Sequence, residues 1–426
     1  MLKKLRLQKF KNFKNTELHL GQFTILIGEN ASGKSNIRDA LRFLHGISRG
    51  YNLAEIMGEK YVEGGVLQWR GLRGGTRETA FQGANFALEV TFSITNDFGM
   101  EQEATYQIEV NLGSERKPPI LLTERLTFSE DSYSLFEVKL TNSFIIEVFQ
   151  VCNQPYGNFS TNSISFNIPI LSQLAKVPME NVSVKEGFIL ATSIRGKLKA
   201  ALQAFNDMRF LDLNPEAMRL PSVPGQTILG DRGENLSSVL LDICQDPQKK
   251  ETLLEWIQEL TPMDAKDFEF PTDFTGKTLL TLVEDSGQKI SAYSASDGTL
   301  RFLAMIAALL GSDPAKIYFF EELDNGIHPT RLHLLIQLIE RQVSQGKTQV
   351  IATTHSSQLL RLISPKTLES VSLIYRLENR PDAQIIRVLD MPNAQEVLEK
   401  QNLAHLHESA WLENVMEFMS DDEVEE

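Results

Sequence analysis

The sequence predicts an α/β fold with a mixed central sheet, an antiparallel β subdomain and a helical insertion lobe. Three observations indicate this class. The apolar run from Phe23 to Ile27 opens into a glycine-rich turn and then an amphipathic segment, as a strand, a loop and a helix do. Several runs between residues 86 and 170 alternate in polarity like antiparallel strands, and helical spacing dominates from residue 171 to residue 260.

Length and composition indicate a globular protein. The 426 residues, of which 42% are hydrophobic, can form a sizeable core and two or three domains. No apolar stretch reaches the roughly 18 to 20 residues of a membrane span, and the N-terminus lacks the apolar segment of an export signal. Cys152 and Cys244 lie in unrelated contexts, so we interpret them as reduced thiols. We therefore expect a cytoplasmic protein without membrane contact.

Charge is distributed unevenly along the chain. The net charge of −14 argues against a surface that coats nucleic acid generally. The first strand region is nevertheless basic, with Lys3, Lys4, Arg6, Lys9, Lys11 and Lys14. The last residues form an acidic tail, which we expect to be disordered and to act as a solubilising end, with docking of a partner as the alternative.

The first elements surround the glycine-rich turn. A hairpin is predicted at Leu2 to Leu7 and Thr16 to Leu20, and a helix follows the turn from Asn36 to Leu44. No clean period runs from Ser48 to Gly83, so we expect a long loop there. Its arginines and Trp69 could contact nucleotide, nucleic acid or a partner, with a solvated loop as the alternative.

The remaining elements are read from the same periodicities. Antiparallel strands are predicted at Phe86 to Ile94, Ala104 to Leu112, Ile120 to Phe128, Ser132 to Leu140 and Ser163 to Ile168. Helices are predicted at Phe188 to Phe205, Asn235 to Cys244, Pro247 to Leu260 and Leu300 to Leu310. Further strands are predicted at Thr278 to Val283, Lys289 to Ser291, Ile317 to Phe320 and Thr348 to Thr353.

The segment GENASGKSN, Gly28 to Asn36, directly follows the first buried strand. Gly-x-x-x-x-Gly-Lys-Ser between a strand and a helix is the phosphate-binding loop, or P-loop, whose backbone N–H groups surround phosphate oxygens. Lys34 would lie between the β- and γ-phosphates, and the Ser35 hydroxyl would bind Mg²⁺. The predicted ATP-binding residues are Gly28, Asn30, Ser32, Gly33, Lys34, Ser35 and Asn36.

Two adjacent carboxylates, Glu321 and Glu322, end the apolar run from Ile317 to Phe320. Because side chains alternate along a strand, we expect the two groups to do different jobs. One can hold Mg²⁺ through its water shell, while the other accepts a proton from the attacking water. His355 ends a second buried strand, where we expect it to contact the γ-phosphate or that water.

Small polar residues from Ser294 to Thr299 precede the helix predicted to start at Leu300. A helix N-terminus that carries Ser, Gly and Thr can bind an anion. The same residue types are also ordinary N-caps, so the residues alone leave both interpretations open.

Five motifs together resemble the ABC-type ATPase heads of the SMC, RecF and OLD group. They are FKNF, GENASGKSN, SDGTLRFLA, IYFFEELDNGIHP and ATTHSSQLL, and the nearest likeness is to small bacterial predicted ATPases that carry an AAA label. The likeness spans nearly the whole chain but is very weak from Phe86 to Gln226. It implies a P-loop NTPase with an ABC-type head that hydrolyses ATP with Mg²⁺.

The resemblance also implies that two copies face each other, with each ATP between the P-loop of one copy and the signature segment of the other. Ser296, Asp297, Gly298 and Thr299 match the signature. Glu321 matches the carboxylate that binds Mg²⁺ together with Ser35, Glu322 the general base and His355 the switch histidine. Asp324 and Asn325 match the loop that crosses the dimer seam.

Two features depart from the ABC pattern. Asp297 stands at a position that is Gly in transporters, and Thr299 stands where they have Gln. A carboxylate beside a phosphate needs a compensating cation, for which Arg301 is the candidate. The glutamine that contacts Mg²⁺ in such heads has three candidates here, Gln102, Gln107 and Gln173.

We expect four segments along the chain. They are an ATPase lobe with the β subdomain at 1–170, a helical lobe at 171–277, the second ATPase lobe at 278–395, and a C-terminal helix with the acidic tail at 396–426. OLD nucleases add a TOPRIM domain after the switch histidine, and the 71 residues from Ser356 onwards hold no comparable acidic pattern. We therefore expect a dimerising ATPase that regulates a separate effector, a nuclease or toxin in antiphage defence or a toxin-antitoxin pair. The alternative is a RecF-like DNA-binding repair ATPase; a membrane importer is disfavoured by the signature.

Overall fold

The computed structural model describes residues 1–95, 99–129, 134–140, 146–149, 165–176, 188–260, 265–378 and 380–422. The chain forms two compact units. Unit 1 comprises Met1–Gly21, Gly28–Asp207 and Leu373–Ile386, and unit 2 comprises Gln22–Ile27, Met208–Ser372 and Arg387–Glu426. Each unit is described separately.

The elements are numbered in chain order. The strands are β1 (Leu2–Phe10), β2 (Phe13–His19), β3 (Phe23–Ile27), β4 (Glu59–Val62), β5 (Val66–Arg70), β6 (Asn85–Thr95), β7 (Glu101–Asn111), β8 (Ile120–Phe128), β9 (Ser134–Leu140), β10 (Ile146–Phe149), β11 (Met208–Leu211), β12 (Ala265–Glu269), β13 (Thr281–Glu284), β14 (Lys289–Ser291), β15 (Ile317–Phe320), β16 (Gln349–Thr353), β17 (Val371–Arg376) and β18 (Ala383–Arg387). The helices are α1 (Lys34–Ser48), α2 (Leu53–Met57), α3 (Ile170–Leu174), α4 (Phe188–Asn206), α5 (Pro215–Met218), α6 (Leu236–Gln245), α7 (Pro247–Leu260), α8 (Asp297–Leu310), α9 (Pro329–Ser344), α10 (Ser357–Leu360), α11 (Pro365–Leu368), α12 (Ala394–Lys400), α13 (Leu403–Glu408) and α14 (Trp411–Asp422).

Unit 1 is built on antiparallel strands in the order β10-β9-β8-β7-β6-β1-β2, and β18 pairs with β2 in parallel. Alternate side chains of β1 are buried, so that Leu7 lies opposite Leu88 of β6. Helix α4 packs against α1 and β6, where Phe205 contacts the rings of Phe92 and Tyr106 at centroid distances of 5.1 and 5.5 Å. The antiparallel sheet thus carries one apolar face covered by helices.

A buried carboxylate joins this sheet to α3. Glu124 of β8 is fully buried and accepts hydrogen bonds from the backbone N–H groups of Ile170 and Leu171 at 2.6 and 2.8 Å and from the Tyr106 hydroxyl at 2.8 Å. Burial raises the pKa of Glu124 to about 7. The three donors replace the water that this carboxyl loses on folding.

Unit 2 contains four parallel strands in the order β3-β16-β15-β11. Every residue of β3, β15 and β16 is buried, which agrees with their largely apolar sequences, and α8 and α9 pack against each other beside them. Because the strands are parallel, Ile27, Phe320 and Thr353 all end at one edge. The paired glutamates follow β15, and Thr354 and His355 follow β16.

The predicted α/β class with a mixed sheet is confirmed, and so are most individual elements. The long loop predicted from Ser48 to Gly83 is wrong, because this stretch contains α2 and the β4–β5 hairpin. Trp69 is only 6% exposed and donates to the carbonyl oxygen of Ile56 at 3.1 Å, so it is part of the core. Helix α8 starts three residues earlier than predicted, at Asp297.

A few predictions fall wholly or partly outside the described residues. The described part of the strand predicted at Ser163 to Ile168 forms a turn, whereas residues 163 and 164 lie outside the described ranges, as do Cys152 and the last four residues of the acidic tail. The division into four segments stays a prediction. None of the helices in the described ranges combines the length and apolarity that crossing a bilayer requires.

Candidate functional site

The P-loop leaves β3 at Gly28 and enters α1 at Lys34. Gly28 and Gly33 have φ angles of +137° and +125°, which side chains other than glycine rarely allow. A Cβ atom at Gly28 would lie 2.0 Å from the carbonyl oxygen of Ile374, so the backbone there passes too close for any side chain. The sequence therefore forms a loop that only glycine permits at these two positions.

Polar groups line the inside of this loop. The Lys34 ammonium donates to the carbonyl oxygens of Gly28 and Glu29, each at 2.7 Å, and the residue is 7% exposed. Ser32 Oγ is buried and has no hydrogen-bond partner among the described residues. A buried hydroxyl of this kind fits a site whose ligand supplies the missing acceptor or donor.

Asn12, in the turn between β1 and β2, forms hydrogen bonds to the P-loop and to the first turn of α1. Its amide donates to the carbonyl oxygen of Ser32 at 2.8 Å and accepts from the amide of Asn36 at 2.7 Å. A Cβ at Gly33 would lie 2.7 Å from the same amide. Sequence reasoning did not assign Asn12 to the site, although the FKNF motif that contains it was a signal.

In unit 2, the paired glutamates follow β15 in a bend and not in the strand itself. Glu322 has φ +48°, a left-handed conformation that costs a non-glycine residue of order 1 kcal/mol and occurs often at functional sites. Its N–H donates to Thr353 Oγ1 at 2.9 Å, and its carboxylate accepts from the Asn325 amide at 2.9 Å. Because both residues lie in a bend after β15, the strand alternation used to predict different jobs for them does not apply.

The loop after Glu322 is fastened to the end of β16. Leu323 N–H donates to the carbonyl oxygen of Thr353 at 3.0 Å, and the Thr354 hydroxyl donates to the Asp324 carboxylate. His355 follows directly and is partly exposed. Unit 2 therefore brings the paired glutamates, the Asp324–Asn325 segment and the strand end that carries His355 into one place.

The signature segment packs on the same loop. Ser296 is the N-cap of α8 and accepts from the Thr299 N–H at 3.2 Å. A Cβ at Gly298 would lie 2.2 Å from the carbonyl oxygen of Gly326, so glycine is required for this approach. Ser296 and Asp297 are exposed, whereas Thr299 is 4% exposed and accepts from the Arg331 guanidinium at 3.0 Å.

The prediction that Arg301 compensates the charge of Asp297 is wrong. Arg301 instead donates to the carbonyl oxygen of Asn325 at 2.8 Å. The partner of Asp297 is Arg219, at the end of α5, with Nη2 2.6 Å from Oδ1. No motif marks Arg219, because it lies 78 residues earlier in the sequence.

The three candidates for the glutamine that contacts Mg²⁺ lie in unit 1. Gln107 donates to Glu89, and the Gln173 amide binds Ser165 and the carbonyl oxygen of Ile168, so both are committed to local structure. Gln102 lies in β7.

Three basic residues of the first strand region are in ion pairs: Lys3 with Glu103, Lys4 with Glu17, and Lys11 with Asp39.

Comparison with known proteins places this geometry in a family. Residues 23–361 match the family described as "AAA domain, putative AbiEii toxin, Type IV TA system". The chain belongs to this family. The family match confirms the predicted AAA-labelled class, and this AAA-domain protein is a P-loop ATPase.

Several individual proteins are similar to this AAA-domain protein. An ATP/GTP phosphatase of Helicobacter pylori (strain ATCC 700392 / 26695) is 21% identical over 371 residues, which cover 85% of this chain and 87% of that protein. Structural maintenance of chromosomes protein 3 of Arabidopsis thaliana is 28% identical over 113 residues, 26% of this chain and 9% of that protein. An SMC head bound to the C-winged helix domain of ScpA matches with a TM-score of 0.49 at 14% identity, over 90% of this chain and 97% of that one. The SMC head domain from Thermotoga maritima matches with a TM-score of 0.40 at 12% identity, over 91% and 98%.

Proposed function

We propose that this ATPase is a switch that dimerises around ATP and regulates a separate effector protein. The observation that carries the proposal lies in unit 2. There, the exposed N-terminus of α8 and the loop from Asp324 to Ile327 are packed together through Gly298, so they present one joint surface. A joint surface of exposed polar groups at a helix N-terminus suits the phosphates of a nucleotide held by a second copy.

The P-loop residues would hold the nucleotide. The buried Ser32 hydroxyl and the close backbone at Gly28 fit a triphosphate, and Lys34 would exchange its two carbonyl acceptors for phosphate oxygens. Ser35 and Glu321 are the proposed ligands of Mg²⁺, an ion that prefers oxygen donors and retains several waters. When bound, Mg²⁺ would neutralise charge that develops on the phosphates during transfer.

Glu322 is the proposed general base. Its left-handed backbone and the Asn325 amide fix the direction of the carboxylate, which would accept the proton of the attacking water. His355 would contact the γ-phosphate or the same water. The Asp324–Asn325 segment would cross the dimer seam, since it connects Glu322 to the surface beside Gly298.

One observation bears on the role of the switch. The family description names a putative AbiEii toxin and a type IV toxin-antitoxin system, which favours a role in antiphage defence or a toxin-antitoxin pair. The Asp390 carboxylate, which follows β18, is paired with Arg387 at 2.6 Å. In this proposal the nuclease or toxin activity belongs to a separate chain.

The dimer is tested with Glu322→Gln, which should bind ATP but slow hydrolysis roughly 10²-fold or more. Sedimentation should show a dimer with ATP and Mg²⁺ and a monomer without them. Mixing Lys34→Ala with Ser296→Ala protein should restore one complete site in each heterodimer, with Lys34→Ala mixed with wild type as the reference. Absence of an ATP-dependent dimer would contradict the proposal.

The effector is tested by purification from the native host with wild-type and Glu322→Gln protein as bait. We expect one soluble partner whose nuclease or toxic activity changes when ATP is added. A partner whose activity is the same with both baits and with or without ATP would contradict regulation by this switch.

A further inference from the structure

Asp297 presents an electrostatic problem at the surface described above. Its side chain is 61% exposed in the first turn of α8, on the surface that would face a triphosphate of the second copy. A carboxylate stabilises the positive N-terminus of its own helix but repels an approaching phosphate. A dimer closed around ATP therefore needs a cation that cancels this charge.

Arg219 is held against Asp297 from three sides. Its Nη2 lies 2.6 Å from Asp297 Oδ1 and 3.1 Å from the carbonyl oxygen of Ala295, and its Nη1 lies 2.8 Å from Glu216 Oε1. Its side chain is only 18% exposed, and the hydrogen bond to Asp297 raises its pKa further. This guanidinium is therefore fixed in place and permanently charged.

Two neighbouring arginines contact other groups. Arg301 donates to the carbonyl oxygen of Asn325 and Arg331 to the Thr299 hydroxyl. In the described part of the chain, Arg219 is the cation that forms an ion pair with Asp297. It comes from α5, which packs against α8 although it is distant in sequence.

We propose that Arg219 is a positioning residue for the signature: it neutralises Asp297 and orders the chain from Ala295 to Asp297, so that the N-terminus of α8 can receive the triphosphate of a second copy. This inference rests on the proposed ATP-driven dimer. Arg219 acts through Asp297 and Ala295 and takes no part in proton transfer. Its effect should thus fall on assembly and turnover and leave ATP binding by the P-loop unchanged.

The experiment measures the dissociation constant of the ATP-bound dimer in the Glu322→Gln background by sedimentation. Arg219→Ala should raise this constant about 10²-fold, since each of two symmetric contacts loses on the order of tenfold. The loss should be largest at low salt, because like charges are screened at high salt. Binding of fluorescent ATP to the separate copies should stay within about twofold of the parent.

Rescue distinguishes neutralisation from a purely structural role. Adding Asp297→Asn to Arg219→Ala should restore the dimer to within a few fold, because the carboxylate that repels phosphate is gone. Arg219→Lys should be intermediate, since it keeps the charge but not the planar fork. The matched control is Glu216→Ala, which removes an 84% exposed partner of Arg219 but keeps its contacts with Asp297 and Ala295, so the dissociation constant should stay within about twofold of the parent.

Three results would overturn the inference: a normal dimer with Arg219→Ala, a defect that does not depend on salt, or a double variant that is not rescued. If Arg219→Ala does not fold, Arg219→Gln replaces it, because the amide can still donate to the Ala295 carbonyl without carrying charge. Failure of the parent Glu322→Gln protein to dimerise with ATP would instead remove the proposed function, and this inference with it.

Discussion

The replacement Gly298→Ala separates two opposing physical effects. Gly298 is the second residue of α8, and Gly to Ala inside a helix ordinarily stabilises a protein by about 0.5 to 1 kcal/mol. In this structure, however, the added Cβ would lie 2.2 Å from the carbonyl oxygen of Gly326. Neither the Cβ atom nor the Gly326 carbonyl oxygen can rotate away, because each is attached directly to the backbone. The loop that begins at Glu322 must therefore move by about 1 Å to bring the two atoms to ordinary contact distance.

We expect the contact to outweigh helix propensity, with a loss of stability of about 1 to 3 kcal/mol, as in overpacked cores. A shift of about 1 Å beside Glu322 should also lower ATP turnover on the order of 10²-fold, whereas ATP affinity should stay within about twofold. The assays are urea unfolding, steady-state hydrolysis and equilibrium binding of fluorescent ATP.

The matched control for this prediction is Gly83→Ala, whose Cβ would meet its nearest neighbour, the Phe81 carbonyl oxygen, at an ordinary 3.7 Å. It should retain wild-type turnover. A Gly298→Ala protein that is more stable than wild type and fully active would refute the reasoning, because propensity would then have decided the outcome.

Further predictions address other parts of the molecule. Lys34→Ala should weaken ATP binding at least tenfold in fluorescence titrations, since it removes the positive charge that the P-loop places beside the phosphates. Thr353→Val should slow turnover about tenfold by releasing the Glu322 N–H, whereas Thr348→Val, before the same strand, should not. Because Glu124 has a folded pKa of about 7 against an ordinary 4.5, it keeps a proton that the unfolded chain releases. Stability should therefore fall by about 3 kcal/mol as pH rises from 4.5 to 7, and Glu124→Gln should remove this dependence in urea unfolding. Duplex DNA binding should be absent at low salt with or without ATP; binding in either state would favour the RecF-like alternative.

Those parts of the site that lie within one short sequence segment could be predicted. In each of them, a hydrophobicity pattern that predicts a strand is followed directly by a chemical motif. The runs that lead into Gly28 and Glu321 are short and apolar except for Thr24, and parallel strands buried on both faces have that signature. The stretch from Ser48 to Gly83 was misjudged because its hairpin is mostly exposed, so β4 and β5 lack an alternating pattern.

The charge pairs could not be predicted in the same way. Arg301 lies one helical turn from Asp297 and is the natural choice by spacing, whereas the pairing with Arg219 depends on how α5 packs against α8. The conformation of Glu322 is equally hidden, because its left-handed backbone depends on the Thr353 hydroxyl of a neighbouring strand. Such contacts join residues that are distant in sequence, so the hydrophobicity pattern of a single segment does not predict them.

The signature segment divides its residues between two tasks, and this division argues for a composite site. Gly298 and Thr299 face inwards, where one admits the Gly326 carbonyl and the other binds Arg331. Ser296 and Asp297 remain exposed although they cap a buried helix. Because Asp297 is exposed and solvent screens a surface charge, its pair with Arg219 contributes little to the stability of the fold. An ordered guanidinium on an exposed carboxylate is useful where a second negative group approaches, and the triphosphate of another copy is such a group.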